Sequence, residues 1–302
     1  MADHDGYDIV ILGGGSGGYA CALRAAELGK RVALIEKGKV GGTCLHRGCI
    51  PTKALLHAAE LADHARDSAA FGVKTTLEGV DMAGVNAYKD KVVTRLWRGL
   101  VGLIGSRHID VIDGEGRLVS PTQVQVGDTL IEGAHVVLAT GSESRSLPGI
   151  DIDGQRVITS DQALELDHVP ASAVILGGGV IGVEFASIWR SFGAEVTIVE
   201  MLPHLLPLED ESSSKLLERA FRRRGIGYKL GQVRERQGHR LGRHRHPGGR
   251  HHARSRAAAG RGRPGAGLGR PGLRGSGGGH AARLRHRGRV LPDQRSDDLG
   301  GR

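Results

Sequence analysis

One supersecondary unit occurs twice in this chain. An apolar run of strand length at residues 7–12 leads into a Gly-x-Gly-x-x-Gly motif at residues 13–18, and the same pattern returns over residues 173–182. In each copy an acidic residue, Glu36 or Glu200, ends the next strand 23 residues after the first glycine. The equal spacing predicts a doubly wound α/β fold with two Rossmann-like dinucleotide-binding domains.

The glycines of such a motif let the backbone approach a pyrophosphate at the positive end of a helix. The acid is placed to accept a hydrogen bond from a ribose hydroxyl, and at the second site it favours NAD because it would repel the 2′-phosphate of NADP. A single motif would also fit an ordinary glycine turn beside a solvated glutamate. The predicted residues are Gly13, Gly15, Gly18 and Glu36 in the first copy and Gly177, Gly178, Gly179, Val180, Ile181, Gly182 and Glu200 in the second.

Cys44 and Cys49 are separated by four intervening residues in the segment GGTCLHRGCIPTK, which ends at Lys53. That spacing lets the two thiols meet across about one helical turn and form a disulfide. The chain has only 3 cysteines, too few for a disulfide scaffold, so a paired motif favours redox use over two buried unreactive thiols. Lys53 is either a cation that lowers a thiolate pKa or a solvated helix lysine.

The remaining pattern predicts where elements and domains begin and end. A Pro-Gly turn at residues 148–149 marks a domain boundary. We expect a first dinucleotide domain at 1–147, a truncated second one at 148–231 and a tail at 232–302. Helices are predicted over 20–28, 53–66 and 86–104, and further strands over 31–36, 109–112, 123–126, 134–139 and 195–200.

The tail has a composition unlike the rest. It contains 18 arginines, 4 acidic residues, 17 glycines and no aromatic residue, and a chain of this kind buries too little apolar surface to fold. Its scattered histidines (His239, His244, His246, His251 and His252) lack the spacing of a metal site, so no metal is expected. No secretory signal or membrane-length apolar run is seen, so a cytoplasmic protein is expected.

Residues 1–231 resemble the FAD-dependent pyridine nucleotide–disulfide oxidoreductases, and among these the dihydrolipoamide dehydrogenases. The cysteine segment fits the family signature, although His46-Arg47 stands where Asn-Val is common. The resemblance implies a redox disulfide with Cys49 next to the flavin and Cys44 as the thiol that attacks substrate. It also implies that Lys53 pairs with Glu184, although the sequence around Glu184 alone would indicate an acid on the surface of a helix. Further FAD contacts implied by the family pattern are Lys37, Gly42, Thr43, Lys53, Gly116, Ala139, Thr140 and Gly141.

The resemblance implies oxidation of the lipoyl groups of 2-oxo acid dehydrogenase complexes by a homodimer that uses FAD and NAD. It ends at Gly231, so an interface domain with its His-Glu base is expected to be missing and activity to be weak. We interpret the tail as the product of a frameshift, because with GC-rich codons the loss of one base lets residues 232–240 (QVRERQGHR) read RFESVKATG. Two alternatives remain open: a mercuric or mycothiol-disulfide reductase, and nucleic-acid binding through the basic tail.

Overall fold

Runs of β-branched residues and alanine-rich stretches alternate along the chain and form strands and helices in turn. The computed structural model describes residues 6–144 and 146–231. The predictions for the tail, including the frameshift and its histidines, lie outside the described residues. The predicted α/β class is confirmed, with two sheets built mainly from parallel strands.

The first sheet has six strands in the order β3-β2-β1-β6-β5-β4. β1, β2, β3 and β6 are parallel, whereas β4 and β5 extend the sheet as an antiparallel hairpin. Val10, Ile11, Ala33 and Leu34 are fully buried, as expected for central parallel strands covered on both faces. The strands are β1 Tyr7–Leu12, β2 Val32–Glu36, β3 Asp110–Asp113, β4 Gly116–Ser120, β5 Gln123–Val126 and β6 Thr129–Leu138.

Four helices accompany this sheet. The cysteine segment is itself helical but broken, so the helix predicted from residue 53 begins at Cys49 and the cysteines lie on two helices. Asp81 caps the longest helix by accepting a hydrogen bond from the N–H of Ala83. The helices are α1 Ser16–Glu27, α2 Gly42–His46, α3 Cys49–Asp67 and α4 Met82–Ser106, with a 3₁₀ turn at Ser68–Phe71.

The second sheet is parallel throughout, in the order β7-β8-β9. Leu55 and Ala59 of α3 share a buried core with Phe185, Ile188 and Trp189 of the helix that follows β7. Helix α3, which begins at Cys49, therefore packs against elements of the second sheet as well as those of the first. The domain bounds at 147 and 231 stay a prediction. The elements are α5 Ser160–Ala163, β7 Ser172–Leu176, α6 Val180–Phe192, β8 Glu195–Glu200, α7 Glu211–Arg224 and β9 Gly227–Leu230.

Within the described residues, no helix combines the length and the apolar character that a membrane crossing requires.

Candidate redox site

The first glycine loop is a tight connection between β1 and α1. Gly13 has φ +107°, and a Cβ on Gly18 would overlap the carbonyl oxygen of Gly13. Only a residue without a side chain lets the first turn of α1 pack so closely on the end of β1. The N-terminus of α1 therefore lies at the carboxyl end of β1.

Glu36 braces this loop from the end of β2. Its Oε2 accepts a hydrogen bond from the N–H of Gly14 at 2.6 Å, and its Oε1 accepts one from the N–H of Gly38 at 2.9 Å. Each carboxylate oxygen has a second lone pair, so both remain able to accept a ribose hydroxyl. The acid predicted from spacing thus also fixes the loop that it serves.

The second glycine loop repeats this geometry. Gly177 has φ +103°, and a Cβ on Gly182 would overlap the Gly177 carbonyl oxygen. Glu200 accepts hydrogen bonds from the N–H groups of Gly178 at 2.6 Å and Leu202 at 2.7 Å. The main difference is burial, because Glu200 is only 8% exposed.

Both loops fit the phosphates of a dinucleotide. The N-caps of α1 and α6 are Gly15 and Gly179, and in this part of the described chain neither helix has a side-chain cap or an acid in its first turn. Their first backbone N–H groups therefore stay available, and the helix dipoles add positive potential. Val180 and Ile181 stand exposed at the first turn of α6.

The cysteine segment is attached directly to the first glycine loop. The N–H of Gly41 donates to the carbonyl oxygen of Gly14 at 2.8 Å. Gly42 has φ +59°, and a Cβ there would lie 2.5 Å from Cα of Gly15. Because only glycine permits this approach, α2 starts against the loop and its Thr43 and Cys44 follow at once.

The helix breaks between the two cysteines. α2 ends at His46, and α3 starts at Cys49 after Arg47 and Gly48. The hydroxyl of Thr52 donates to the carbonyl oxygen of Gly48 at 2.6 Å, and the N–H of Thr52 donates to the same oxygen at 3.0 Å. These bonds fix the break, so Cys49 opens a new helix instead of continuing the turn that holds Cys44.

The two thiols of this pair interact with each other. The hydrogen bond with Cys49 raises the pKa of the Cys44 thiol above its ordinary value, burial raises it further, and the Lys53 ammonium acts in the opposite direction. Cys44 is half-buried, Cys49 is exposed, and both are free thiols, as is the half-buried Cys21 on α1. The structure thus brings together the pair predicted from spacing, whereas Cys21 packs against the core of the first sheet.

Lys53 and Glu184 form the pair that the resemblance implied. The Lys53 Nζ lies 2.6 Å from Oε1 of Glu184, with 56% of the lysine and 21% of the glutamate side chain exposed. Lys53 is one turn after Cys49 on α3, and Glu184 is on α6, the helix that follows the second glycine loop. The ion pair therefore joins α3, which carries Cys49, to α6, which follows the second glycine loop.

The other predicted residues gather at the carboxyl edge of the first sheet. The N–H of Ala139 donates to the carbonyl oxygen of Leu12 at 2.8 Å, which sets Ala139 and Thr140 beside Gly13, and Gly141 follows them with φ +77°. Gly116 begins β4, where a Cβ would lie 2.5 Å from Cδ1 of Leu12. Lys37 is on the surface, with its Nζ 3.7 Å from Oε1 of Glu115.

Sequence reasoning missed two features of the site. The first is Gly14, whose carbonyl oxygen accepts the hydrogen bond from Gly41 that attaches the cysteine segment. Gly14 also donates to Glu36, and its spacing of 22 residues from that acid was the signal that could have identified it. Arg47 forms an ion pair with Asp161, 114 residues away, and no local pattern indicates it. Among the described residues, no group of three or more His, Cys, Asp or Glu side chains lies close enough to hold a metal.

Comparison with known proteins places this geometry in a family. The family model described as pyridine nucleotide-disulphide oxidoreductase matches residues 7–240. A dihydrolipoyl dehydrogenase of Bacillus subtilis is 44% identical over 239 residues, which are 74% of this chain and 50% of the relative. A mitochondrial dihydrolipoyl dehydrogenase of Pisum sativum is 41% identical over 233 residues, 75% of this chain and 46% of the relative.

Solved structures agree with these matches. A copper(II) complex of the HOCl-induced flavoprotein disulfide reductase RclA from Escherichia coli has a TM-score of 0.65 and 32% identity, covering 79% of this chain and 52% of that one. LpdA from Mycobacterium tuberculosis has a TM-score of 0.67 and 29% identity, covering 74% and 51%. The chain spans about half the length of the curated relatives it matches.

Proposed function

The chain belongs to the pyridine nucleotide-disulphide oxidoreductase family, and from that membership we propose that it carries the electron relay of a dihydrolipoamide dehydrogenase. The proposed reaction oxidises protein-bound dihydrolipoamide to lipoamide and reduces NAD⁺, with FAD between them. The similarity to dihydrolipoyl dehydrogenases at 41–44% identity supports this choice within the family. The domain limits and site residues named from the sequence are part of the same proposal.

One observation carries the proposal: α3 connects the dithiol to both glycine loops. Its preceding segment is bonded to the first loop through Gly41 and Gly14, at 2.8 Å. Four residues after Cys49, Lys53 is paired at 2.6 Å with Glu184 on the helix of the second loop. A redox pair fixed between two dinucleotide-type loops is suited to passing electrons from sulfur to one cofactor and then to another.

The first loop would hold FAD and the second NAD. Gly13, Gly15, Gly18 and the first turn of α1 would receive the FAD pyrophosphate, and Glu36 its adenosine ribose. Gly177–Gly182 and the buried Glu200 would hold NAD in the same way. When bound, FAD supplies a carrier for an electron pair and NAD its final acceptor.

The cysteines carry the sulfur chemistry. A dihydrolipoamide thiolate attacks Sγ of Cys44 in the Cys44–Cys49 disulfide, which forms a mixed disulfide and releases Cys49 as a thiolate. The second substrate thiolate then attacks the substrate sulfur of that mixed disulfide, closing lipoamide and releasing Cys44. Two electrons have then moved from substrate to protein, and Lys53 stabilises the negative charge that results.

The proposed partners are lipoyl groups of 2-oxo acid dehydrogenase complexes and a second copy of the chain in a homodimer. Support comes from the similarity to dihydrolipoyl dehydrogenases of a bacterium and a plant. The proposed compartment is the cytoplasm, where a pair of cysteines serves redox exchange more often than a structural scaffold.

Thiol counting by mass spectrometry tests the sulfur step. The purified chain is oxidised, treated anaerobically with dihydrolipoamide and alkylated, and we expect Cys44 and Cys49 to gain label together while Cys21 serves as an internal reference. Cys44→Ala should abolish the paired change. A wild-type chain in which Cys44 and Cys49 never form a disulfide would contradict the proposal.

Cofactor binding is measured separately through FAD fluorescence. We expect FAD to be quenched by the wild-type chain and not by Gly18→Ala, which overfills the first loop. NAD is expected to bind in preference to NADP, and Glu200→Ala to lose that preference. Equal binding of FAD by the wild type and Gly18→Ala would argue against the first loop as its site.

A related flavin disulfide reductase is the second candidate. The 32% identity with the Escherichia coli disulfide reductase favours it, although it is below the identity with dihydrolipoyl dehydrogenases. A substrate panel separates the two candidates: the proposed enzyme oxidises dihydrolipoamide, whereas a mycothiol-disulfide or mercuric reductase reduces oxidised mycothiol or Hg²⁺.

A further inference from the structure

Arg47 is a cation between the two redox cysteines. It is three residues after Cys44 and two before Cys49, at the break between α2 and α3. Its N–H donates to the carbonyl oxygen of Thr43 at 2.8 Å, which fixes its backbone at the end of α2. Its backbone joins the two helices that carry the thiols, and its side chain is long enough to place the charge several ångströms from that point.

Asp161 engages this guanidinium. Nη1 of Arg47 lies 3.3 Å from Oδ2 of Asp161, with 63% of the arginine and 39% of the aspartate side chain exposed. In contrast, the pKa of Cys44 is raised by the hydrogen bond with Cys49 and by burial, and the cation that opposes the rise is Lys53. Arg47 is nearer in sequence, yet its charge is directed to Asp161.

The segment that carries Asp161 is well anchored. Thr159 and Gln162 form a capping box at the start of α5. Lys89 of α4 is only 1% exposed and donates from Nζ to the carbonyl oxygen of Leu164 at 2.7 Å. Asn86 on the same helix donates from Nδ2 to the carbonyl oxygen of Leu166 at 3.0 Å. Asp161 therefore lies on an anchored segment, and the long Arg47 side chain extends to meet it.

We propose that Asp161 is a positioning residue that holds the Arg47 guanidinium away from the Cys44 and Cys49 thiols. The inference rests on the proposed role of Cys44 as the thiol that attacks substrate. The charge of Lys53 is partly balanced by Glu184. The Arg47 guanidinium, once released from Asp161, would be a second cation without such a partner and would favour ionisation of the thiols. By keeping this cation at a distance, Asp161 would limit the fraction of Cys44 that is ionised at neutral pH.

Alkylation kinetics test this assignment in the reduced chain. Iodoacetamide reacts with the thiolate, so its rate at Cys44, resolved by peptide mass spectrometry at pH 7, reports the ionised fraction. Asp161→Asn should raise that rate by about twofold to fivefold, the scale of one exposed charge interaction. The double variant R47Q/D161N should return to the wild-type rate, since the released cation is then gone. Added salt at 1 M should remove most of the increase in D161N, because the Debye length falls to about 3 Å.

A matched control is available elsewhere on the chain. Lys30 and Asp8 form another exposed pair at the same distance of 3.3 Å, so Asp8→Asn removes a similar interaction away from the cysteines and should leave Cys44 unchanged. Asp161→Ser gives the same expectation with a smaller side chain if D161N folds poorly. Cys21 alkylation in every variant reports general loosening of the fold.

Two outcomes would overturn the inference: a D161N rate no higher than that of D8N, or a double variant as fast as D161N alone. The second would show that Asp161 acts by stiffening the segment and not through Arg47. These outcomes are separate from failure of the proposed function, which would appear as an absent Cys44–Cys49 disulfide in the oxidised wild-type chain.

Discussion

The ammonium group of Lys53 lies 2.6 Å from the Glu184 carboxylate, across the junction of α3 and α6. Lys53 is one turn from Cys49 and opposes the raised pKa of Cys44, so this pair connects the dithiol with the helix of the second glycine loop. The lysine is more than half exposed, and we expect its effect on thiol chemistry to exceed its effect on stability.

Replacement of Lys53 should make Cys44 less reactive. In Lys53→Met the attraction between ammonium and thiolate is lost, the pKa of Cys44 rises further, and alkylation at pH 7 should slow by about twofold to fivefold. Lys30→Met, at an exposed lysine paired with Asp8, is the matched control and should not change the rate. An unchanged Cys44 rate in Lys53→Met would show that the ammonium does not act on this thiol.

Replacement of Cys49 should have the opposite effect, depending on the side chain introduced. Cys49→Ala removes the hydrogen bond that raises the pKa of Cys44, so the midpoint of its alkylation rate against pH should move down. Cys49→Ser retains a hydrogen-bonding group and should remain closer to the wild type. The raised pKa also fixes how Cys44 affects the free energy of unfolding. Its stabilising contribution is present below the pKa of the unfolded chain and is lost as the pH rises through the pKa of the folded chain. Equal midpoints in the two variants would contradict this account.

Two adjacent glycines in the first turn of α1, Gly17 and Gly18, should respond very differently to alanine. A Cβ on Gly18 would overlap the Gly13 carbonyl oxygen, whereas a Cβ on Gly17 would meet nothing within 4 Å. We expect Gly18→Ala to lower the free energy of unfolding by about 1–3 kcal/mol or more because the backbone must shift. Gly17→Ala should be neutral or stabilising by up to about 1 kcal/mol, since alanine favours a helix. Denaturant titrations of both variants check this, and equal losses would contradict the close packing of α1 on β1.

The parts of the fold that could be predicted are those with a local cause. Tyr7–Leu12 and Glu195–Glu200 match the expected strands residue for residue, because short runs rich in valine and isoleucine are typical of strands. β4 at Gly116–Ser120 was missed, since this mostly exposed strand is defined by its pairing with β5. The hydrogen bonds to β5 define this strand, and its own sequence has too few buried apolar residues to indicate it.

The site shows the same division. Glu36 and Glu200 could be found from spacing, because the β-α-β unit sets the distance between its glycine loop and the end of its second strand. The contact of Arg47 with Asp161 could not, because it joins residues 114 apart through the fold. The pairing of Lys53 with Glu184, 131 residues apart, needed the family resemblance, since Glu184 alone reads as a surface helix acid.

The two acids that brace the glycine loops should differ in their contribution to stability. Glu200 is 8% exposed and accepts two backbone N–H bonds, so Glu200→Ala leaves two donors without partners and should lower the free energy of unfolding by about 1–3 kcal/mol. Glu36 accepts the equivalent bonds but is half-buried, so in Glu36→Ala water can replace part of what is lost and the cost should be smaller. Denaturant unfolding without cofactor measures both. A larger loss at Glu36 than at Glu200 would show that burial does not decide the contribution of these carboxylates.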